Sequence, residues 1–513
     1  MTLEFLPTPL GGLPSAPWRE VAARRGGPVS AALRPAFTAT GHAAAGLDAL
    51  MAGAALCVTT GQQPGLFLGP LFTVYKALSA VALAERLQAR LGRTVVPVFW
   101  VAGDDHDFLE ASHTYHLSRS SDLARLALAE RSPEAPLTPM YRERLGPAVA
   151  SALEALWQEQ PETEFRADIE AWLARHYVPD ATVADAFGGA LADLLGHLGL
   201  VVFHPTHRAA KEAMRPLLLG ALEHAATLDG ALARRAEALQ RDGGAAPVPV
   251  GEGASLVMLE GAQGRDRLIV DDGAYHARRS GERYRLADLT ALAQDEPERF
   301  SPNVLLRPVV EAALLPTVAY VGGPGELAYF PQCAPAYETL GIGPQVPVPR
   351  WSALVIEART RKVLDKYALV PDDLRLPEGQ LEQRLVRGDL PGTAEGALTA
   401  LRDALEREYG VLREAAAAID PTLQKPVEST RNAALAGTRD IEKRLIGHLK
   451  QRNETLMQQI ARVRVALYPL GKPQERVLSV PPFLVRYGRE FLAAALAEVR
   501  SWAAALEAPS QAP

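Results

Sequence analysis

At 513 residues the chain is longer than one hydrophobic core organises, which predicts two or three domains. It is 48% hydrophobic and 22% charged, a balance that excludes disorder along most of its length. Lys plus Arg number 54 against 60 for Asp plus Glu, and the net charge of −6 gives no global attraction for nucleic acid or an anionic membrane.

Residues 1–17 lack a basic region followed by an apolar run, so no signal peptide is expected. The first fifty residues carry helical patches, broken by Pro and Gly, that pack across the outside of the next unit. Residues 54–60 form a short apolar and β-branched run, read as a strand. After Gly61-Gln62-Gln63-Pro64-Gly65, a helix is predicted over 70–91, with Leu71, Val74, Leu78, Val81 and Leu87 on one side and Gly92 as its stop. Residues 95–102 (VVPVFWVA) are apolar on both faces, as a central parallel strand should be, and too short to span a bilayer. Strand, helix and strand make a βαβ unit, which predicts an α/β fold with a Rossmann-like doubly wound parallel sheet. Strands at 198–203 and 317–322 join it. Between them a helical stretch (208–240) and a hairpin (254–270) form a segment inserted at about 205–300 and packed against the sheet.

The core is expected to span 1–371, and from Asp372 the pattern changes. Leu398, Leu405, Leu412 and Ile419 recur at heptad spacing, as do Leu449, Leu456 and Val463. Asp420-Pro421 separates the two runs as a capping residue and a first helical residue. This predicts a C-terminal antiparallel coiled-coil hairpin over 372–470. Its open readings are a homodimer contact or ordinary packing within a helical domain. Residues 471–513 return to the core.

Two cysteines, Cys57 and Cys333, cannot make a disulfide framework, so the expected compartment is the cytoplasm. Cys57 falls in a buried strand as an inert thiol; Cys333 follows a Gly-rich turn, where burial or proximity to a site both fit.

Ligands of open parallel sheets bind beyond the carboxyl ends of the strands. In the first such loop Gly61, Gly65 and Gly69 allow close approach to a ligand, and the helix start at Pro70 favours a phosphate or carboxylate. Gln62 and Gln63 offer amides to an amino acid or a sugar. The second loop, Gly103-Asp104-Asp105-His106-Asp107, clusters charges that repel unless a cation or ligand neutralises them. One of its aspartates as a helix cap is the plainer alternative. His113 and His116 lack a metal-ligand spacing with His106, and no metal is predicted. Arg307 suits a phosphate or carboxylate, and Gly322, Gly323 and Glu326 form another strand-to-helix turn in which Glu326 is either a cap or a catalytic group. His204 and His207 read as ordinary polar loop residues.

The segments TTGQQPGLFLGPLFTVYKALSA, VVPVFWVAGDDHDF and ERFSPNVLLRPVVEAALLPTVAYVGGPGELAYF, with the ending YPLGKPQERV, resemble the BshC family of bacillithiol biosynthesis. The resemblance implies a Rossmann-like core with a coiled-coil dimerisation domain. It also implies a ligase that joins L-cysteine to the amine of glucosaminyl malate. Amide formation needs an activated carboxyl, and ATP is the expected cosubstrate. Its phosphates would lie against Gly65, Gly69 and the Pro70 helix end, with Lys76 or Arg307 beside them. Asp104, Asp105 and Asp107 would bind the cysteine ammonium, and His106 would take a proton from the attacking amine. GLFLGPLF also occupies the place of the HIGH signature of class I aminoacyl-tRNA synthetases, but Phe67 and Pro70 replace its histidines and no KMSKS loop follows. Two other function classes stay open: a non-catalytic ligand-binding scaffold with a coiled-coil arm, and a metal-dependent hydrolase built on the Asp104–Asp107 cluster.

Overall fold

The structure, a computed structural model, describes residues 3–8, 16–271 and 273–506. Part of 1–17, read above as lacking a leader pattern, and the end of 471–513 lie outside the described residues. The described residues divide into two compact units, one within 5–354 together with 474–506 and the other 355–473 together with 3–4.

The larger unit is built on a six-stranded sheet of β1 (Phe37–Thr38), β2 (Ala55–Gln62), β3 (Thr94–Val101), β4 (Val201–Phe203), β5 (Thr317–Gly322) and β6 (Val346–Pro349). Their spatial order is β6-β5-β2-β3-β4-β1, and all pairings are parallel except β1 with β4. The short edge strand β1, in the stretch read as helical patches, gave no signal because two residues carry no periodicity.

The alternation of a strand divides the core into two layers. Cys57, Val96, Val98, Trp100 and Tyr320 pack on one face, while Leu56, Val58, Val95, Val318 and Val321 pack on the other. Helix α1 (Phe72–Leu91) covers the second face through Ala80, Leu83 and Leu87. It ends where expected, at Gly92 in the left-handed conformation (φ 64°), which a residue with a Cβ adopts at a cost. Cys57 and Cys333 are both buried, and burial pushes both thiols up to about 12. The inert reading therefore holds for Cys57 and extends to Cys333.

After β3 come the short helix α2 (Phe108–Ala111) and, past β4, helix α3 (Arg208–Glu223). The inserted hairpin Ala254–Gly261 and Gly264–Asp271 belongs to a five-stranded sheet that also includes Phe300–Pro302. Leu256, Val257, Leu268 and Phe300 of this sheet lie in the same core as Trp100 and Val201, so the insertion shares one hydrophobic core with the central sheet. Helix α4 (Arg307–Leu314) precedes β5 and α5 (Pro324–Tyr329) follows it.

In the smaller unit α6 (Gly392–Ile419) pairs with α7 (Gln424–Arg452), and α8 (Glu454–Leu467) continues after a break at Asn453. Asp420 caps the turn between α6 and α7, its side chain accepting from the Thr422 amide at 2.8 Å. The heptad positions differ along the hairpin. Leu398, Leu456, Ile460 and Val463 are buried, whereas Leu412 and Ile419 are 51% and 81% exposed. Helix α9 (Glu490–Ala505), in the larger unit, packs on α1. No helix among the described residues is long and apolar enough to cross a membrane.

Candidate active site

The carboxyl ends of β2, β3 and β5 open onto a cavity of about 440 Å³, at the edge where such sheets take ligands. Of the residues singled out in the sequence, Gln62, Gln63, Lys76, Asp104, Asp105, Arg307, Gly323 and Glu326 line it. His106, Asp107, Gly65, Gly69 and Gly322 do not.

Lys76 is 2% exposed, and its ammonium has only three N–H donors. They meet the Gly61 carbonyl at 2.8 Å, Gln62 Oε1 at 2.9 Å and the Glu326 carboxylate. The expected phosphate-binding lysine is instead a strut that fixes Gln62 and Glu326. Burial pulls its pKa down, and Glu326 opposes that shift. Burial alone would raise the Glu326 pKa, but Lys76 and Arg307 outweigh it and hold the carboxyl below its ordinary value. Glu326 also accepts from the Tyr320 hydroxyl and, at 2.7 Å, from the Gly323 amide at the start of α5. It is thus both a cap and part of the cavity wall. Arg307 is engaged in the same way, donating to the Tyr320 and Tyr329 hydroxyls at 3.1 Å each and to Glu311 at 3.2 Å. Gly322 is needed for packing: a Cβ there would lie 3.2 Å from the Tyr320 ring and 3.3 Å from Glu326.

The acidic loop divides between two surroundings. Asp104 faces the cavity and accepts at 2.5 Å from Lys211 of α3, a fully buried lysine that also donates to the Phe300 carbonyl at 2.7 Å. Asp105 receives the His106 and Asp107 amides at 2.7 and 3.2 Å, which folds the loop around its carboxylate. Asp107 caps α2, accepting from the Glu110 amide at 3.0 Å, so the plainer alternative is right for this aspartate. His106 and Asp107 line a neighbouring cavity of about 460 Å³. Gln63 joins the two loops by donating to the Asp107 carbonyl at 2.8 Å.

The Gly65–Gly69 turn is packed where the sequence suggested an open cradle. Leu66, Phe67 and Leu68 are fully buried, and Phe67 and Leu68 hold positive φ of 51° and 69°, a strained conformation that needs support. Tyr177 supplies it: its ring packs edge-on against Phe67 and its hydroxyl accepts from the Leu68 amide at 2.8 Å. A Cβ on Gly65 would meet Gly69 at 3.3 Å. At the start of α1 the Leu71 amide donates to the Leu478 carbonyl and the Thr73 amide to the Pro70 carbonyl, so these donors are already satisfied. The glycines serve a tight turn, and this feature does not fit a phosphate.

Several lining residues escaped the sequence reading. Glu110 of α2, Arg265 of the inserted hairpin, Arg350 and Arg476 all face the cavity. Burial, then the nearby Asp107 and Asp105 charges, raise the Glu110 pKa, and Lys76 opposes the shift. Arg350 is held by Glu475 in a bidentate pair of 2.5 and 2.9 Å. Glu475 and Arg476 stand in the PQERV ending, whose motif was visible but whose position in space was not. No group of three or more His, Cys, Asp or Glu able to hold a metal occurs among the described residues, which gives the hydrolase reading no ligand set. His204 bonds to Thr38 and His207 caps α3, matching their plain readings.

Residues 31–351 match the family described as bacillithiol biosynthesis BshC, N-terminal Rossmann-like domain, and residues 353–504 match the BshC C-terminal coiled-coil domain. The chain belongs to the BshC family. Curated relatives named "Putative cysteine ligase BshC" include those of Heliobacterium modesticaldum, 34% identical over 87% of this chain and 82% of its own length, and Koribacter versatilis, 33% identical over 88% and 84%. The protein from Symbiobacterium thermophilum, with the same name, is 33% identical over 86% of this chain and 82% of its own. The match over 31–351 covers the central sheet and every named cavity-lining residue except Arg476, and the match over 353–504 covers the hairpin and Arg476.

Removing one member of a buried pair leaves the other charge uncompensated, at a cost of about 3–5 kcal/mol. Lys211→Met is therefore expected to lower stability in urea denaturation by about that amount, and Lys211→Met combined with Asp104→Asn to regain most of it. A Lys211→Met chain as stable as its parent would contradict this role. Glu311, behind Arg307, gives a pH signature. Burial raises its pKa from 4.5 to about 7, against the opposing pull of Arg307 and Thr59. The unfolded chain therefore releases this proton first, so the contribution is full below pH 4.5, falls as pH rises to about 7, and is level above. Glu311→Gln should remove that part of the decline from denaturation curves measured between pH 4.5 and 8.

Proposed function

We propose that this BshC-family chain is a ligase that joins the carboxyl of L-cysteine to the amine of glucosaminyl malate, forming bacillithiol. The name borne by its curated relatives supports cysteine as a substrate. The observation that carries the reading is a cavity that presents the carboxylates of Asp104, Asp105 and Glu110 together with several arginines. An ammonium beside Glu110 would favour its charged form against the burial and the Asp107 and Asp105 charges that raise its pKa. The Gln62 amide nitrogen, without a partner among the described residues, is oriented by Lys76 and can donate to a substrate oxygen.

A free carboxylate is a poor acyl donor because its oxygen is a poor leaving group, so the cysteine carboxyl must be activated. ATP is the proposed source of activation. The residues first expected to hold its phosphates are a closed turn and an engaged lysine, so no step is assigned to them. The attacking amine must lose a proton as the amide bond forms. His106 lies outside the cavity, Asp104 is tied to Lys211, Glu326 is held by Lys76 and Glu110 is proposed to hold the cysteine ammonium, so Asp105 is the proposed acceptor.

The uncovered heptad stripe supports a second proposal, that two copies of the chain associate through their hairpins. Leu412 and Ile419 stand exposed at positions that coiled coils bury.

Incubation with glucosaminyl malate, cysteine and ATP should yield bacillithiol by mass spectrometry. Asp105→Asn is expected to lower kcat by about 10²–10⁴, and Glu110→Gln to raise the KM for cysteine. No product with ATP, or with a presynthesised activated cysteine, would refute the assignment. Light scattering should give a dimer for the parent and a monomer for a chain carrying Leu412→Glu and Ile419→Glu; a monomeric parent would refute the association.

A further inference from the structure

Five cationic side chains line the cavity: Lys76, Arg265, Arg307, Arg350 and Arg476. Four are engaged by protein groups. Lys76 is held by Glu326, Arg307 by Glu311 and two tyrosines, and Arg350 by Glu475. Arg265 donates to Ser301 Oγ at 2.9 Å and to the Pro302 carbonyl at 2.8 Å, and it lies in the field of Asp104 and Asp105. Arg476 differs. It is exposed, it lines the cavity, and it has no hydrogen bond or ion pair among the described residues.

Its backbone, however, is firmly placed. The preceding residue, Glu475, is 5% exposed and grips Arg350 through both carboxylate oxygens, with the Ser352 hydroxyl donating to one of them at 3.0 Å. A bidentate pair withdrawn from water fixes geometry at a desolvation cost, which is a poor bargain for stability alone. Here it anchors the short Gln474–Arg476 turn against the end of the sheet and delivers an unpaired guanidinium to the cavity.

We infer that Arg476 is the specificity residue that binds the malyl carboxylates of the sugar substrate and distinguishes the malyl glycoside from glucosamine without that group. The identity of the glycoside rests on the ligase reading above. A guanidinium fork matches a carboxylate bidentately, and of the five lining cations Arg476 is the one with no donor already engaged by a described protein group. Both substrates carry an amine and cysteine carries one carboxylate, but the malyl group brings two carboxylates together, the larger anionic charge for a free guanidinium.

Calorimetric titration tests this without requiring turnover. Glucosaminyl malate and methyl glucosaminide are each titrated into the parent, Arg476→Gln and Arg476→Lys. Loss of the charge-assisted pair should weaken glucosaminyl malate about 10- to 100-fold in Arg476→Gln and less in Arg476→Lys, and leave methyl glucosaminide unchanged. An unchanged thermal melt is expected, because the side chain is exposed and unpaired. Equal weakening of both sugars, or unaltered binding of glucosaminyl malate, would overturn the inference. So would a rise in the KM for ATP in place of the loss of sugar affinity. A parent that binds glucosaminyl malate but makes no product defeats the ligase reading alone and leaves the Arg476 assignment to stand or fall on the titration.

Discussion

A charge withdrawn from water has to find an opposite charge or a set of dipoles, and at the carboxyl edge of this sheet that requirement governs almost every side chain. Lys76 and Lys211 approach the cavity from helices on opposite sides of the sheet, and each is satisfied by a carbonyl oxygen together with a carboxylate. Arg307 and Arg350 are satisfied by Glu311 and Glu475. The cavity is therefore rigid as well as polar, because moving one of these groups strands another. Catalytic geometry benefits from that rigidity, since oriented dipoles and charges act without reorganising.

The central sheet was legible because its signals are local. Residues 54–60 and 95–102 are long enough to show burial on both faces, the intervening helix shows its period, and Gly92 marks its end where the backbone turns left-handed. The heptads of the hairpin were legible for the same reason. The site was legible in its address but not in its roles. The acidic loop and the Gln62-Gln63 pair do lie at the strand ends, yet which carboxylate faces the cavity depends on Lys211 and on the capping of α2, contacts that span up to 107 residues. Glu110 and Arg476 lay outside any charged cluster a linear reading would single out.

Gly65-Leu-Phe-Leu-Gly69 shows how a glycine pattern can mislead. Two glycines flanking a turn resemble an anion loop in composition, but three large apolar side chains between them demand burial. Once Phe67 and Leu68 are driven inward, the backbone needs positive φ at both, and Tyr177 secures the result. Hydrophobic burial decides the outcome, and the polar face of the turn is closed by the chain itself.

The Arg350–Glu475 contact joins residues separated by 125 positions, with Val355–Pro473 of the smaller unit between them in sequence. On the ribosome all six strands of the sheet have emerged well before Glu475 does, so Arg350 lacks its carboxylate while the hairpin is still being made. The cavity wall is completed only when the chain is nearly finished. A chain that stops short of residue 475 has the residues of all six strands but lacks the carboxylate that holds Arg350 at the cavity.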